Sequence, residues 1–519
     1  MNTEIETVRA ADSHRGVITF AVMLATVMQV LDTTIVNVSL PHMQGTFSAT
    51  EDQIAWVLTS YIVAAAVMTP PTGWLASRLG RKQLFLISVG AFTAMSVLCG
   101  MAQTLSEIVV FRLLQGVFGA ALVPLSQAVL LDSYPRERHG QAMALWGVGI
   151  MVGPILGPTL GGYLTEFYNW RWVFYINLPV GLLAFLFILR YVPDTDRNRD
   201  RPFDIFGFVL LSLGIGVLQL MLDTGQRNDW FSSPHIVVEA VVAGLGFYLY
   251  LVHAATARHP FIDPQLLRDR NFATGLFFIF VVGVILLATL AIMPPFLQGL
   301  LGYPVVTTGL VLAPRGVGTM IAMFLVGRLV ARVDPRLLIF NGLALTSISL
   351  WQMAGFTLQT SQSLIVWSGV LQGLGLGFIF VPLSTIAFAT LAQQHRTEAA
   401  GIFSLVRNIG SSIGISVIVT LLSRNMQINH SVLAEQVTAY NPLYRAPYLP
   451  PAWDTHSVHG LAAMNAEITR QAAMIAYADD FRFMMMVTLL AIPMLLLLAN
   501  PRRQAAGAAE AEAEAPALE

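Results

Sequence analysis

The triplet LQG at Leu114–Gly116 is followed by VPLS at Val123–Ser126, and both return as LQG at Leu371–Gly373 and VPLS at Val381–Ser384. Likewise GWLASRLGRK at Gly73–Lys82 is echoed by GRLVARVDPR at Gly327–Arg336, with Gly, Leu, Arg and the closing cation at matching offsets. Such spaced self-similarity marks a duplicated chain. Whether the copies are parallel or inverted depends on which side of a membrane each one falls.

Membrane helices are what is duplicated. Of 519 residues, 55% are hydrophobic and 11% charged, roughly half the charge a large soluble domain needs on its surface. Fourteen apolar stretches are long enough to cross about 30 Å of hydrocarbon. The first six are Gly16–Leu40, Gln53–Trp74, Leu84–Ala102, Ile108–Leu131, Ala142–Leu164 and Trp172–Arg190. Phe203–Leu222 and Pro234–His253 follow, then Phe272–Phe296, Thr307–Gly327, Leu337–Leu358, Leu364–Leu391, Ala399–Leu422 and Phe481–Leu498. The pair Pro294-Pro295 must break or end its helix. No small-residue cleavage site follows the first stretch, which reads as a retained helix.

Short cytoplasmic loops carry excess arginine and lysine. Placing the N-terminus inside gathers Arg78, Arg81, Lys82, Arg328, Arg332 and Arg336 on one side and leaves Arg171, Arg227 and Arg424 among the few on the other. Both termini are then cytoplasmic and both copies of the Gly73 loop face the same way. The expectation is an all-α membrane protein with 14 transmembrane helices: two parallel six-helix bundles plus an inserted helix pair. Its parts are a cytoplasmic N-terminus (1–15), an N-terminal bundle (16–192), the inserted pair (203–254) and a C-terminal bundle (271–500). The segment 423–480 is too polar to span and lies outside, its Leu461–Ala478 part reading as a surface helix. The tail 501–519, ending AAGAAEAEAEAPALE, reads as disordered.

Several functions are excluded. Lys82 is the only lysine and Gln83 follows it, so no Walker phosphate loop exists in the chain. Cys99 is the only cysteine, which rules out an intrachain disulfide or a cysteine-based metal cluster. A net charge of −1 argues against a nucleic-acid partner. No catalytic signature of the H-E-x-x-H or G-x-S-x-G kind appears.

One carboxyl stands out. Asp32 lies in MQVLDTTIVNVSLP (Met28–Pro41), mid-segment, where an aspartate costs about 2.5–3.5 kcal/mol on insertion scales. Glu107 and Asp223 fall at segment ends and Glu239 about one turn inside the inserted pair. The first helix of the second half has no acid at the matching place. A position duplicated without its carboxyl suggests function, against the plainer reading of an Asp neutralised by Arg112 for assembly. Arg112, Gln115, Gly116 and Gly119 share one helical face; Arg112 either satisfies carbonyls or tunes a nearby acid. Arg315 and Arg407 are embedded with no acid in their own segments, so they border water or face something anionic. Gly149, Gly153, Gly157 and Gly161, with Pro154 and Pro158 between them, form a small-residue stripe that permits tight packing or a sealing contact between the halves.

LDTTIVNVSLP (Leu31–Pro41) resembles the first-helix motif of drug:proton antiporters of the major facilitator superfamily, and GWLASRLGRK resembles that superfamily's loop signature, represented by Gly73, Arg78, Gly80 and Arg81. RLLQGVFGA (Arg112–Ala120) resembles its helix-four motif and GPILGPTLGGYL (Gly153–Leu164) its antiporter motif. With NWRWVFYINLPVG (Asn169–Gly181) and DWFSS (Asp229–Ser233), the chain is similar to the fourteen-helix EmrB/QacA family over nearly its whole length. The resemblance implies that Asp32 responds to protons, that Arg112 tunes it, and that Gly153, Pro154, Gly157 and Pro158 shape the antiporter helix. Gln29, Gln115, Arg315 and Arg407 are candidates for the substrate cavity. The resemblance further implies a bacterial inner-membrane location, no cofactor beyond a proton gradient, a periplasmic adaptor (membrane fusion) protein and an outer-membrane channel. Ser77 departs from the pattern, because the loop signature usually has Asp there. The reading is proton-driven multidrug efflux. A proton-linked uptake symporter is the alternative within the same fold, while a polytopic enzyme lacks a catalytic constellation and a scaffold or sensor leaves Asp32 unexplained.

Overall fold

A computed structural model describes residues 2–135, 138–195, 197, 202–391, 395–437, 441, 453 and 457–498. The tail 501–519 and residues 438–440, 442–452 and 454–456 of the polar segment lie outside the described residues. Helices of the first half are α1 (Asn2–Phe47), α2 (Glu51–Met68), α3 (Thr72–Leu79), α4 (Arg81–Met101), α5 (Leu105–Gly119), α6 (Leu122–Ser133), α7 (His139–Phe167), α8 (Trp172–Tyr175) and α9 (Asn177–Tyr191). Next come α10 (Ile205–Thr224), α11 (Pro234–Thr256) and the short α12 (Pro264–Arg268). The second half is α13 (Arg270–Pro295), α14 (Val305–Leu329), α15 (Pro335–Ala354), α16 (Gln362–Ala389), α17 (Arg396–Glu435) and α18 (Val458–Ala491).

In hydrocarbon each backbone group must find its partner within the helix, so the chain starts and stops its helices at capping residues in short loops. Thr50 and Gln53 form a capping box on α2. Asp269 caps α13 through the Phe272 N–H at 2.8 Å, and Ser457 caps α18 through Gly460 N–H at 3.0 Å. Among the described residues thirteen helical runs are long and apolar enough to cross a membrane. The pair Asp52–Met68 and Thr72–Leu79, bent by 61°, makes a fourteenth when taken as one span.

The duplication is visible in the packing. In the first half α1 packs on α7, α2 on α5, and α4 on α5 and α9; in the second α13 packs on α17, α14 on α16, and α15 on α16 and α18. The halves meet where α7 lies along α14 and where α3 and α6 meet α17.

Two expectations are corrected. The second span is not one helix over Gln53–Trp74: Pro70 and Pro71 lack an N–H and clash with the preceding turn, so α2 ends and α3 leaves at an angle. Leu461–Ala478 is not a separate surface helix. It is the outer part of the 34-residue α18, which runs straight into the last span and buries Met464, Ala473 and Met474. At 1.5 Å per residue, the 40-residue α17 is about 60 Å long, twice the hydrocarbon thickness. Its outer part therefore leaves the membrane beside that of α18, tied by His430 Nε2 and Asn465 Oδ1 at 3.0 Å.

The inserted pair is assigned no packing partner by sequence alone. It stands in sequence between the halves, but α10 packs on both α2 and α17, one helix from each. Asp223 accepts from Thr59 of α2, while Ser416 Oγ of α17 donates to Leu222 O at 3.0 Å. Trp230 Nε1 donates to Thr420 Oγ1 of α17 at 2.8 Å. Through α10 and Trp230 the pair lies across the seam and holds both sides of it.

Candidate functional site

Asp32 is wholly buried, and so are Arg112 and Gln115. Arg112 Nη1 donates to Asp32 Oδ2 at 2.7 Å. Gln115 Nε2 donates to Asp32 Oδ1 at 3.0 Å, and Asn177 Nδ2 donates to the same oxygen at 2.8 Å. The i, i+3 spacing on α5 brings Gln115 Oε1 within 2.8 Å of Arg112 Nη1, and Arg112 Nε donates to Val57 O at 3.1 Å. The guanidinium also lies 4.3 Å from the centre of the Tyr61 ring. Gln29 is half-buried and donates to the Tyr61 hydroxyl at 3.0 Å. This is a carboxylate with both oxygens satisfied, facing a cation that is itself hydrogen-bonded on several sides.

Asn177 had no role in the sequence reading, although it lies inside the quoted NWRWVFYINLPVG. It is fixed by a further bond to Ser96 Oγ at 2.9 Å. An asparagine at the start of an apolar helix reads as a cap, and only the fold brings α9 beside α1.

In the second half Gln372, the repeat of Gln115, donates through Nε2 to Thr289 Oγ1 at 3.2 Å. Arg315 is buried; its Nη2 donates to Leu286 O at 3.3 Å and its Nη1 has no partner among the described residues. Arg407 is half-buried and reaches Ser404 Oγ at 3.3 Å. No carboxylate bonds either guanidinium among the described residues.

The glycine stripe does not face the other half. A Cβ on Gly153 would lie 2.8 Å from Val30 C and 3.0 Å from Leu31 N, and one on Gly157 would lie 2.1 Å from Thr34 Oγ1. Gly149 and Gly161 likewise meet Met23 and Ile35. All four pack α7 on α1 within one bundle, and Thr34 Oγ1 donates to Gly153 O at 3.1 Å. Pro154 is half-buried and Pro158 exposed. The face of α7 that meets the second half is instead Gly140, Gly147 and Ile155, against Val330 at the end of α14 and Met323 and Gly316 within it.

At the arginine-rich side, Gly80 turns the chain between α3 and α4 at φ 87°, a conformation that favours glycine. Arg78 is exposed and covers the Trp74 ring at 5.2 Å. Ser77 Oγ only donates back to Trp74 O at 2.8 Å. An acid of this region is Asp132 at the end of α6. It pairs with Arg81 of its own half and with Arg396 Nη1 of the second half at 2.9 Å. Gly73 is pressed against α17, where a Cβ would lie 2.7 Å from Glu398 Cα. Asp132 and Arg396 thus form a cross-half latch that the loop signature alone did not reveal.

Two bundles of parallel topology, a buried carboxylate in one and a latch between them define a secondary transporter. A family model described as Major Facilitator Superfamily matches residues 22–415, and the chain belongs to that superfamily. It is 36% identical over 434 residues to "Multidrug export protein EmrB" of Escherichia coli (strain K12), covering 83% of this chain and 85% of that protein. It is 32% identical over 492 residues to "Fatty acid resistance protein FarB" of Neisseria gonorrhoeae, covering 94% and 97%. Among solved structures, the human organic anion transporter MFSD10 (TETRAN) superposes with TM-score 0.59 at 14% identity, covering 91% of this chain and 99% of that one. The proton:xylose symporter XylE superposes with the same score and identity, covering 92% and 95%. These two structures bear on fold alone. The protein is a multi-pass membrane transporter of small substrates and not an enzyme.

Proposed function

We propose that this chain is a proton-driven multidrug efflux antiporter of the bacterial inner membrane, working by alternating access with both termini in the cytoplasm and no cofactor beyond the proton gradient. The observation that carries the reading is Asp32, buried at the centre of three donors from two other helices. A proton arriving on Oδ1, which already accepts from both Gln115 and Asn177, would displace one of those donors, and a proton on either oxygen would leave Arg112 a buried cation without its counter-charge. Protonation and rearrangement of α1, α5 and α9 are therefore linked. A site whose two protonation states prefer different packings can couple a proton to a conformational change. The names of the relatives support export over uptake, which the shared fold does not decide.

Substrates on this reading are neutral or weakly acidic lipophiles more often than dications. Arg315 and Arg407 offer hydrogen-bond donors to an anion, and a second positive charge beside them is costly in low dielectric. The relative named for fatty acid resistance supports this. A periplasmic adaptor protein, with an outer-membrane channel beyond it, fits the extension of α17 and α18 past the membrane.

Purified protein in liposomes, with an imposed pH gradient, tests the function. Export of a fluorescent weak acid should follow the gradient and stop when an ionophore collapses it. Export that survives collapse, or that favours dicationic dyes, overturns the respective part of the reading.

A further inference from the structure

Asp480 is the converse of Asp32. It is 1% exposed, yet both of its carboxylate oxygens are buried with no hydrogen-bond partner among the described residues. By helix rise it lies about 28 Å from Leu497, at the outer margin of a hydrocarbon core. Tyr477 and Phe481 flank it on α18, and both pack on Phe296, which stacks on Phe356.

Among the described residues, no cation on the packed elements is bonded to it. Arg270 and Arg336 stand at the far ends of α13 and α15, where Arg270 Nε donates to Leu497 O at 2.7 Å. On α17, Arg396, Glu398 and Arg407 lie toward that same far end, while Arg424 and His430 lie on its outer part. Its α18 neighbours Asp479 and Arg482 bond each other at 3.0 Å. Gln352 Oε1 of α15, about 26 Å from Pro335 by helix rise, is also buried without a donor. An ionised carboxylate so placed is costly. A proton removes the charge and supplies a donor at a depth where two acceptors lack one. Among the described residues no group of three or more His, Cys, Asp or Glu side chains gathers to hold a metal cation.

We propose that Asp480 is a second proton-binding site. While the Asp132–Arg396 latch is closed, Asp480 carries a proton, and it releases that proton later in the cycle. Its part in transport rests on the antiport reading; the bound proton does not.

The test uses the full-length protein in liposomes. The infrared spectrum at neutral pH should contain a protonated-carboxyl band that is absent from Asp480→Asn and present in Asp32→Asn. Asp480→Leu, which buries no polar atom, serves the same purpose should the amide disturb folding. The limiting substrate gradient at a fixed pH gradient should fall about tenfold per pH unit in these variants, one proton's worth of driving force, and recover in Asp480→Glu. An unchanged spectrum or an unchanged limit overturns the proposal. If the wild type builds no substrate gradient, the antiport reading falls and the infrared comparison alone decides Asp480.

Discussion

Thr289 stands in the second half where Asp32 stands in the first. Each accepts a hydrogen bond from the glutamine of an LQG triplet, and each is separated from that glutamine by 83 residues. The duplicated scaffold thus accommodates a neutral hydroxyl at this position as well as a carboxylate, so the charge at Asp32 is not required by the fold.

That comparison yields a prediction for the pair. Asp32→Asn leaves Arg112 buried beside an amide, and breaking a buried pair costs about 3–5 kcal/mol, so the melting temperature should fall. The double variant Asp32→Thr with Arg112→Met, which imitates the second half and removes the orphaned cation, should recover most of that stability. Neither should show pH-gradient-driven export. Gradient-driven export by the double variant would mean that the proton is carried elsewhere.

The latch makes its own prediction. Asp132→Asn weakens the pairs with Arg81 and Arg396 and so favours separation of the halves at the arginine-rich side. In a Cys99→Ala background, a cysteine at Thr397, buried beside that contact, should react with a soluble maleimide several-fold faster when Asp132 is replaced. Equal rates would show that the latch does not hold the side closed.

The bundle topology was legible because it is written in local quantities: hydropathy over a span's length, arginine at loop positions, and repeated words at matching offsets. Asp32, Arg112 and Gln115 were legible because charge in oil is conspicuous. Asn177, Asp132 and Asp480 were not. Asn177 and Asp132 look like ordinary residues at helix ends until packing places them beside a charge from another helix. Asp480 reads in the sequence as the last residue of a polar outer segment, because hydropathy cannot say that a helix continues beyond the membrane. The glycine stripe was legible as a packing face, but spacing along one helix does not name the helix it meets.

Sidedness is tested by labelling. Asp194 and Ser361 are both exposed and fall on opposite sides of the fold. In the Cys99→Ala background, a cysteine at Ser361 should react with an impermeant reagent added outside whole spheroplasts, and one at Asp194 only after lysis. The reverse pattern would invert the topology.

The last prediction separates packing from hinging in α7. Gly153 faces backbone: its added Cβ would meet Val30 C and Leu31 N, atoms that no side-chain rotation can move aside. Gly162, about two and a half turns away on the same helix, has nothing within 4 Å of its Cβ position. In an exposed helix interior, alanine in place of glycine gains up to about 1 kcal/mol. Gly162→Ala should therefore be neutral or slightly stabilising. Gly153→Ala should cost about 1–3 kcal/mol by overpacking and push α1 away at the residue next to Asp32, loosening the bonds from Gln115 and Asn177 and lowering gradient-driven export together with the melting temperature. A hinge would behave differently, because a stiffer helix changes the rate of the cycle without displacing a neighbour. Melting curves and export rates on the two purified variants decide the matter: a Gly153→Ala protein with unchanged melting temperature and impaired export would show that the stripe works by bending rather than by contact.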